Sequence, residues 1–249
     1  MRPKSRLYLF LPSAAVLAGI YIWGIFGVPA VGHYRGPYGD AVNAATVPER
    51  HITDAVTAVN FDFRGFDTLG EEFIMFVSVV GVVVLLRQQA GQKDGQQEDK
   101  AGGRRVPPPS DAVRTLTVAM VGPLAAFGIY IVTHGQLTPG GGFQGGVILA
   151  TAPLLIYLAG EFSTFKRVAP HLLIEVAEAL GAGGYALVGI MGLLAGLPFL
   201  TNVLPLGKVG DVFSSGTVLW IDLAVGLEVS AGFLVLMWAF LEEALEHQE

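Results

Sequence analysis

The sequence predicts an all-α, polytopic helical membrane protein with about six transmembrane helices and both termini in the cytoplasm. Three observations predict it. Only 14% of the 249 residues are charged, against about 25% in a soluble globular domain. The mean hydropathy is +0.57. Six apolar runs approach or exceed the roughly 20 residues that cross about 30 Å of hydrocarbon.

The first run extends from about Leu7 to Val28, without internal charge and with Tyr8, Tyr21 and Trp23 at interfacial positions. It is longer than the apolar region of a signal peptide, about 7–15 residues, so a retained anchor is expected. The second run, Leu69–Leu86, opens with Glu71 and Glu72. The third spans about Val113–Thr133, the fourth Gly145–Ala159, the fifth Leu172–Leu200 and the sixth Gly216–Phe240. The fourth is barely long enough unless the glycine-rich stretch before it lies partly in the membrane.

Charge gives the orientation. With the N-terminus inside, Arg2, Lys4, Arg6, Arg87, Lys93, Lys100, Arg104, Arg105, Arg114, Lys166 and Arg167 fall on the cytoplasmic side, 11 of the 15 basic residues. Arg35, Arg50, Arg64 and Lys208 fall outside. This asymmetry supports an even number of spans and an N-in, C-in topology.

Composition also excludes chemistry. The chain has no cysteine, which removes thiol catalysis, zinc–thiolate sites and iron–sulfur ligation. A net charge of -6 gives no support for nucleic-acid binding. His33, His51, His171 and His247 show no ligand spacing, and no Ser-His-Asp arrangement is visible. No cofactor, no metal and no catalytic centre of the chain's own are expected.

Residues 88–110, QQAGQKDGQQEDKAGGRRVPPPS, are polar and Gly-rich and end in three prolines. Such a segment cannot bury a core and reads as a cytoplasmic linker. It divides the chain into a two-span part, 1–87, and a four-span part, 111–249. No internal or inverted repeat of the kind expected in a self-sufficient transporter is visible.

Three stretches carry candidate chemistry. Residues 53–76, TDAVTAVNFDFRGFDTLGEEFIMF, set Asp54, Asp62, Arg64, Asp67, Glu71 and Glu72 in an apolar frame. Arg64 lies between Asp62 and Asp67 and is able to pair with either. Asp67 or Thr68 is placed to cap the second span, with Glu71 and Glu72 in its first turn; a surface loop and an N-cap would explain the same residues.

The second stretch is Thr138-Pro139-Gly140-Gly141-Gly142-Phe143-Gln144-Gly145-Gly146, after His134. Gly140, Gly142 and Gly145 have dinucleotide-motif spacing, but that motif needs a preceding strand, and here an apolar run precedes it. A broken or re-entrant membrane segment fits better; a tight turn between spans is the simpler alternative. His134, closing the third span, is either an interfacial residue or a proton relay.

The third group is acids in or near spans. Glu175 and Glu178 share one face near the start of the fifth span. Asp222 and Glu228 lie in the sixth, where a charge at the bilayer centre costs about 2.5–3.5 kcal/mol on insertion scales. Such an acid is protonated, paired, or turned to water or protein. The two are six residues apart, about 240° of helical rotation, so they form no dyad.

With these residues in view, two resemblances are specific. HGQLTPGGGFQGG, residues 134–146, with Asp111-Ala112-Val113-Arg114 upstream and spans around it, resembles the B subunit of Mrp-type multisubunit sodium/proton antiporters. FDFRGFDTLGE, residues 61–71, resembles the E subunit of membrane-bound hydrogenases, which is similar to the C-terminal end of the Mrp A subunit. The chain thus looks like a fusion of two neighbouring subunits meeting at the linker.

The resemblance implies a multi-pass subunit in a prokaryotic plasma membrane, with the other subunits of an antiporter or complex-I-like assembly as partners. Asp67 and Glu71 match acids of the E-like motif, and Pro139, Gly140, Gly141, Gly142, Phe143, Gly145 and Gly146 match the B-type structural motif. The B-type pattern often carries histidine where this chain has Gln136, which argues against proton carriage by that loop.

The expected function is a subunit of a cation (Na+)/proton antiporter complex, with Asp62, Arg64, Asp67, Glu71, Glu72, His134, Asp222 and Glu228 as candidates for the ion path. The alternatives are a membrane-arm subunit of a redox-linked complex, such as a membrane-bound hydrogenase or related oxidoreductase, and a purely structural scaffold.

Overall fold

The computed structural model describes residues 3–28, 36–86, 109–159 and 162–246. Its helices are α1 (Pro3–Phe26), α2 (Pro37–Arg50), α3 (Ala55–Ala58), α4 (Gly65–Leu86), α5 (Asp111–Thr133), α6 (Gly142–Ala159), α7 (Phe162–Val168), α8 (His171–Leu194) and α9 (Thr217–Glu246). Most of the linker read from composition, 88–108, lies outside the described residues.

Five helices, α4, α5, α6, α8 and α9, are long and apolar enough to cross a membrane. They coincide with the second to sixth expected spans. The first expected span coincides with α1, whose apolar part, Phe10–Phe26, is shorter. The chain is a polytopic helical membrane protein. Met1–Asp40 and Ala41–Glu249 are separate compact units. In the first, α1 presents Trp23, Ile25 and Phe26 exposed, the side-chain chemistry a lipid-facing helix needs.

In the second unit α9 is central and packs against α8, α6, α4 and α5. Its Val218, Ile221, Val225 and Val229 are buried with Phe61, Leu69 and Tyr185, while Leu234, Val235 and Trp238 form a second core with Phe165 of α7 and Ile174 of α8. Outward faces stay apolar, as at Phe73, Val77 and Leu85 of α4 and Leu116 and Ile129 of α5. In hydrocarbon such faces need no covering by water-soluble structure.

The boundaries have local causes. Ser110 caps α5 by accepting the Val113 N–H at 3.4 Å. Arg114, in the first turn of α5, donates to the Ala159 carbonyl at 2.7 Å. A cation thus sits at the C-terminal end of α6, where the helix dipole favours it, and α5 and α6 close as an antiparallel hairpin.

The fifth span ends at Leu194, short of the expected Leu200. Gly196 takes a positive φ of 74°, its N–H bonds the Leu193 carbonyl at 3.0 Å, and Leu197 N–H bonds Gly192 at 3.0 Å. This left-handed C-terminal cap stops the helix. The apolar residues beyond it fold back, and Leu200 N–H bonds the Gly189 carbonyl at 3.1 Å.

Helix α9 is capped from the same loop. The Asn202 side chain accepts the Thr217 N–H at 2.9 Å and donates to the Ser215 carbonyl at 2.8 Å.

Candidate functional site

The glycine-rich stretch is a turn closing the α5–α6 hairpin, not the broken or re-entrant segment the sequence suggests. Helix α5 ends at Thr133, His134 caps it, and α6 begins at Gly142. Gly142–Gly146 are therefore helical and lengthen the fourth span. Helices flank the stretch on both sides, which removes the strand a dinucleotide motif requires.

This turn lies against α9. Asp222, fully buried, accepts the Gly142 N–H at 2.8 Å through Oδ1. Its carboxylate sits at the N-terminus of α6, where free N–H groups and the helix dipole favour an anion. Glycine is required by space. A Cβ would lie 2.7 Å from Asp222 Oδ2 at Gly135, 2.9 Å from Oδ1 at Gly141, and 2.5 Å from the Asp222 carbonyl at Gly142. Gly140 and Gly141 also have φ of 144° and 119°, which disfavours L side chains.

The next glycines serve packing. Gly145 meets Val132 of α5, and Gly146 meets Val229 of α9. Pro139 and Phe143 are exposed.

The 53–76 stretch braces the same turn. Thr53 N–H bonds the Gln136 carbonyl at 3.0 Å, and Thr53 Oγ1 donates to Leu137 at 2.6 Å. Thr57 Oγ1 donates to the Gly135 carbonyl at 2.8 Å. Asp54 orients Thr57 by capping α3, accepting its N–H at 2.9 Å. Fully buried Gln136 donates through Nε2 to the Val212 carbonyl at 2.7 Å. Asp54, Thr57 and Gln136 lie outside the ion-path candidates expected from sequence; the polar residue types are visible there, but not the long-range partners.

After α3 the chain makes one wide π-helical turn, Val59–Phe63, closed by the Arg64 N–H on the Val59 carbonyl at 2.8 Å. Here the choice between carboxylates resolves. Arg64 takes Asp67, with Nε donating at 2.6 Å, and Asp62 pairs with Arg50 Nε at 2.8 Å. Burial pushes Asp62 above the usual carboxylate range, and the Arg50 guanidinium opposes that rise. Both pairs border a cleft of about 470 Å³ that Thr201 and Asn202 also line.

Helix α4 begins at Gly65, so Asp67 lies inside its first turn and neither Asp67 nor Thr68 is its cap. Glu71 and Glu72 fall in the second turn. Their environments differ: Glu71 is exposed, and Glu72 is buried. Tyr185 of α8 fixes the start of α4 by donating its hydroxyl to the Gly65 carbonyl at 2.8 Å, with Phe61 edge-on at 6.1 Å.

Glu228 is fully buried and faces α8, where Gly181 abuts its backbone. Asp222 and Glu228 thus serve different surroundings, as their rotation requires. The α8 pair also divides: Glu178 is buried, while Glu175 is exposed with His171 Nδ1 at 3.4 Å. Glu178 belongs with Glu72 and Glu228, although the sequence alone does not set it on the ion path. His134 is half-buried, stacks on Tyr130 at 4.2 Å and has Nδ1 2.9 Å from the Tyr130 carbonyl.

Residues 112–235 match the sequence profile described as a domain related to the MnhB subunit of Na+/H+ antiporter. An uncharacterized protein of Methanocaldococcus jannaschii is 30% identical over 242 residues, covering 88% of this chain and 87% of that protein. The B subunit of the Na(+)/H(+) antiporter of Alkalihalophilus pseudofirmus is 36% identical over 90 residues, which are 36% of this chain and 62% of that protein.

Among solved structures, a chain of the membrane-bound sulfane sulfur reductase, an archaeal respiratory membrane complex, matches with a TM-score of 0.71 and 31% identity. The match covers 95% of this chain and 98% of that one. The Mrp complex from Dietzia shares the fold, with a TM-score of 0.71 at 20% identity over 96% of this chain and 26% of that one. The chain belongs to the family related to the MnhB subunit of Na+/H+ antiporters.

Proposed function

We infer that this chain is an integral, multi-pass subunit of an Mrp-type cation/proton antiporter complex in a prokaryotic plasma membrane, with other subunits as its partners. The observation that carries this reading is the match over 112–235 to the MnhB-related domain, which includes the glycine turn seated on Asp222. In this reading Na+ is the exchanged cation, and the chain has no catalytic centre of its own. Residues 1–87 form the E-like part and 111–249 the B-like part, with both termini in the cytoplasm.

The ion path takes Asp62, Arg64, Asp67, Glu71 and Glu72 from the first part and Asp222 and Glu228 from the second, with His134 at its edge. What supports this for Glu72, Asp222 and Glu228 is their burial inside apolar helices, where a carboxylate without a role is costly; Asp67 and Glu71, which are exposed, enter the path through their place in the E-like motif.

A second reading has its own support. The chain matches nearly the whole of one chain in a respiratory membrane complex, which favours a membrane-arm subunit of a redox-linked assembly. The same ion path would then be driven by redox subunits elsewhere.

Purification of the tagged protein in mild detergent, with mass spectrometry of what accompanies it, tests both. Large antiporter-like subunits alone support the first reading, and added redox subunits support the second. A folded, monodisperse chain without companions would overturn both.

A further inference from the structure

Three buried carboxylates come from three helices that pack on one another in the unit Ala41–Glu249: Glu72 of α4, Glu178 of α8 and Glu228 of α9, with exposures of 5%, 4% and 0%. Among the described residues, neither oxygen of Glu228 has a hydrogen-bond partner, nor has Glu72 Oε2 or Glu178 Oε1. The charges acting on Glu228 are those of Glu72 and Glu178.

Glycines bring the helices together there. At Gly181 of α8 a Cβ would lie 2.6 Å from Glu228 Cβ. At Gly232, one turn beyond Glu228, it would lie 3.2 Å from Glu178 Oε1 and 2.9 Å from Met75 Cε of α4.

Other titratable groups surround this cluster. Glu71 acts on Glu72, and Glu175 acts on Glu178. The charges of Glu72, Asp222 and Glu71 act on Tyr185, and that of Asp54 acts on Asp222. Tyr185 spends its hydroxyl proton on the Gly65 carbonyl, so it does not supply the missing donor.

Buried carboxylates without donors require a neutralising ligand. Among the described residues no group of acids and histidines has the arrangement to hold a metal ion. A proton needs only one oxygen facing another. We propose that Glu72, Glu178 and Glu228 form a single proton-holding site, in which a proton bound to one carboxyl group is hydrogen-bonded by, and passes to, a neighbouring carboxylate. The donor is left as carboxylate when the acceptor becomes the acid, so the total charge is unchanged. Groups coupled in this way titrate as a unit and not one by one. The site deepens the ion-path reading, on which it rests, by naming the proton as its ligand and adding Glu178.

Infrared difference spectra of the purified complex across a pH titration test it. A protonated-carboxyl stretching band is expected to persist at pH values where exposed acids are ionised. Glu228→Gln is expected to abolish it, and Glu72→Gln and Glu178→Gln are each expected to shift what remains. Exposed Glu175→Gln should leave it in place. If Glu228→Gln leaves the band unaltered, or each variant removes an independent band, the site is overturned. Should Glu228→Gln fail to assemble, Glu178→Gln decides alone, because an unaltered band there also overturns the coupling.

Cation/proton exchange measured in proteoliposomes of the same samples separates the two ideas. A coupled band without exchange would sink the ion-path reading and leave the site. Exchange without a coupled band would sink the site and leave the reading.

Discussion

Asp222 Oδ1 accepts the backbone N–H of Gly142 at 2.8 Å, joining the second turn of α9 to the first residue of α6. The bond satisfies a buried helix-terminal donor that hydrocarbon leaves without other partners. Asp222→Asn keeps an oxygen for this N–H and is expected to assemble normally. Asp222→Ala orphans the donor and opens a void, at a cost of about 1–3 kcal/mol. Thermal unfolding of the purified complex should rank wild type and Asn together above Ala.

The glycine turn gives a sharper test. Gly141→Ala combines a φ of 119° with a Cβ 2.9 Å from Asp222 Oδ1, and Gly142→Ala meets the Asp222 carbonyl at 2.5 Å. Each is expected to destabilise by about 1–3 kcal/mol, the usual cost of overpacking. Gly183 of α8 has nothing within 4 Å of its would-be Cβ, so Gly183→Ala should be neutral or stabilising by roughly 0.5–1 kcal/mol. Equal melting temperatures for all three variants would contradict the cradle.

Asp62 makes stability depend on pH. Its folded-state value lies above the ordinary carboxylate range because burial outweighs the pull of Arg50. Between those two values the folded protein binds more protons than the unfolded chain, so stability falls as pH rises through the interval. Arg50→Gln removes the opposing charge, extends the interval upward and makes the loss continue to higher pH. Melting temperature against pH for both proteins checks the sign; a parallel pair of curves would contradict it.

Tyr185→Phe isolates one bond. It keeps the ring against Phe61 and removes the donor to the Gly65 carbonyl. The expected cost is about 0.5–1.5 kcal/mol, the net worth of a buried hydrogen bond. Amide hydrogen exchange should show faster opening at the start of α4, with α5 and α6 unaffected.

The spans are legible in the sequence because hydrocarbon demands long apolar helices, a signal carried by composition alone. The end of α8 is not, since Pro198, Phe199 and Leu200 continue the apolar run while the backbone reverses at Gly196. The acids of the 53–76 stretch are visible, but Arg64 lies near two carboxylates in sequence, and only Arg50, from α2, decides the pairing. The glycine stretch stands out as exceptional without its cause, because Asp222 lies 80 residues from Gly142. Glu178 likewise stands out as an acid in a span, and only packing joins it to Glu72 and Glu228.

Asp67 and Glu71 separate a path role from a scaffold role. Both are exposed, so neither substitution opens a core. Asp67→Asn weakens a surface pair with Arg64, worth about 0.2–1 kcal/mol, and Glu71→Gln is close to isosteric. Both variants should therefore co-purify with the same subunits and melt within a few degrees of wild type. If they line the ion path, cation/proton exchange in proteoliposomes falls while assembly is retained. If the acids serve only as scaffold, exchange stays at the wild-type rate. Because folding is nearly unaffected in either case, lost exchange in an intact complex cannot be assigned to misfolding, and retained exchange removes both residues from the path.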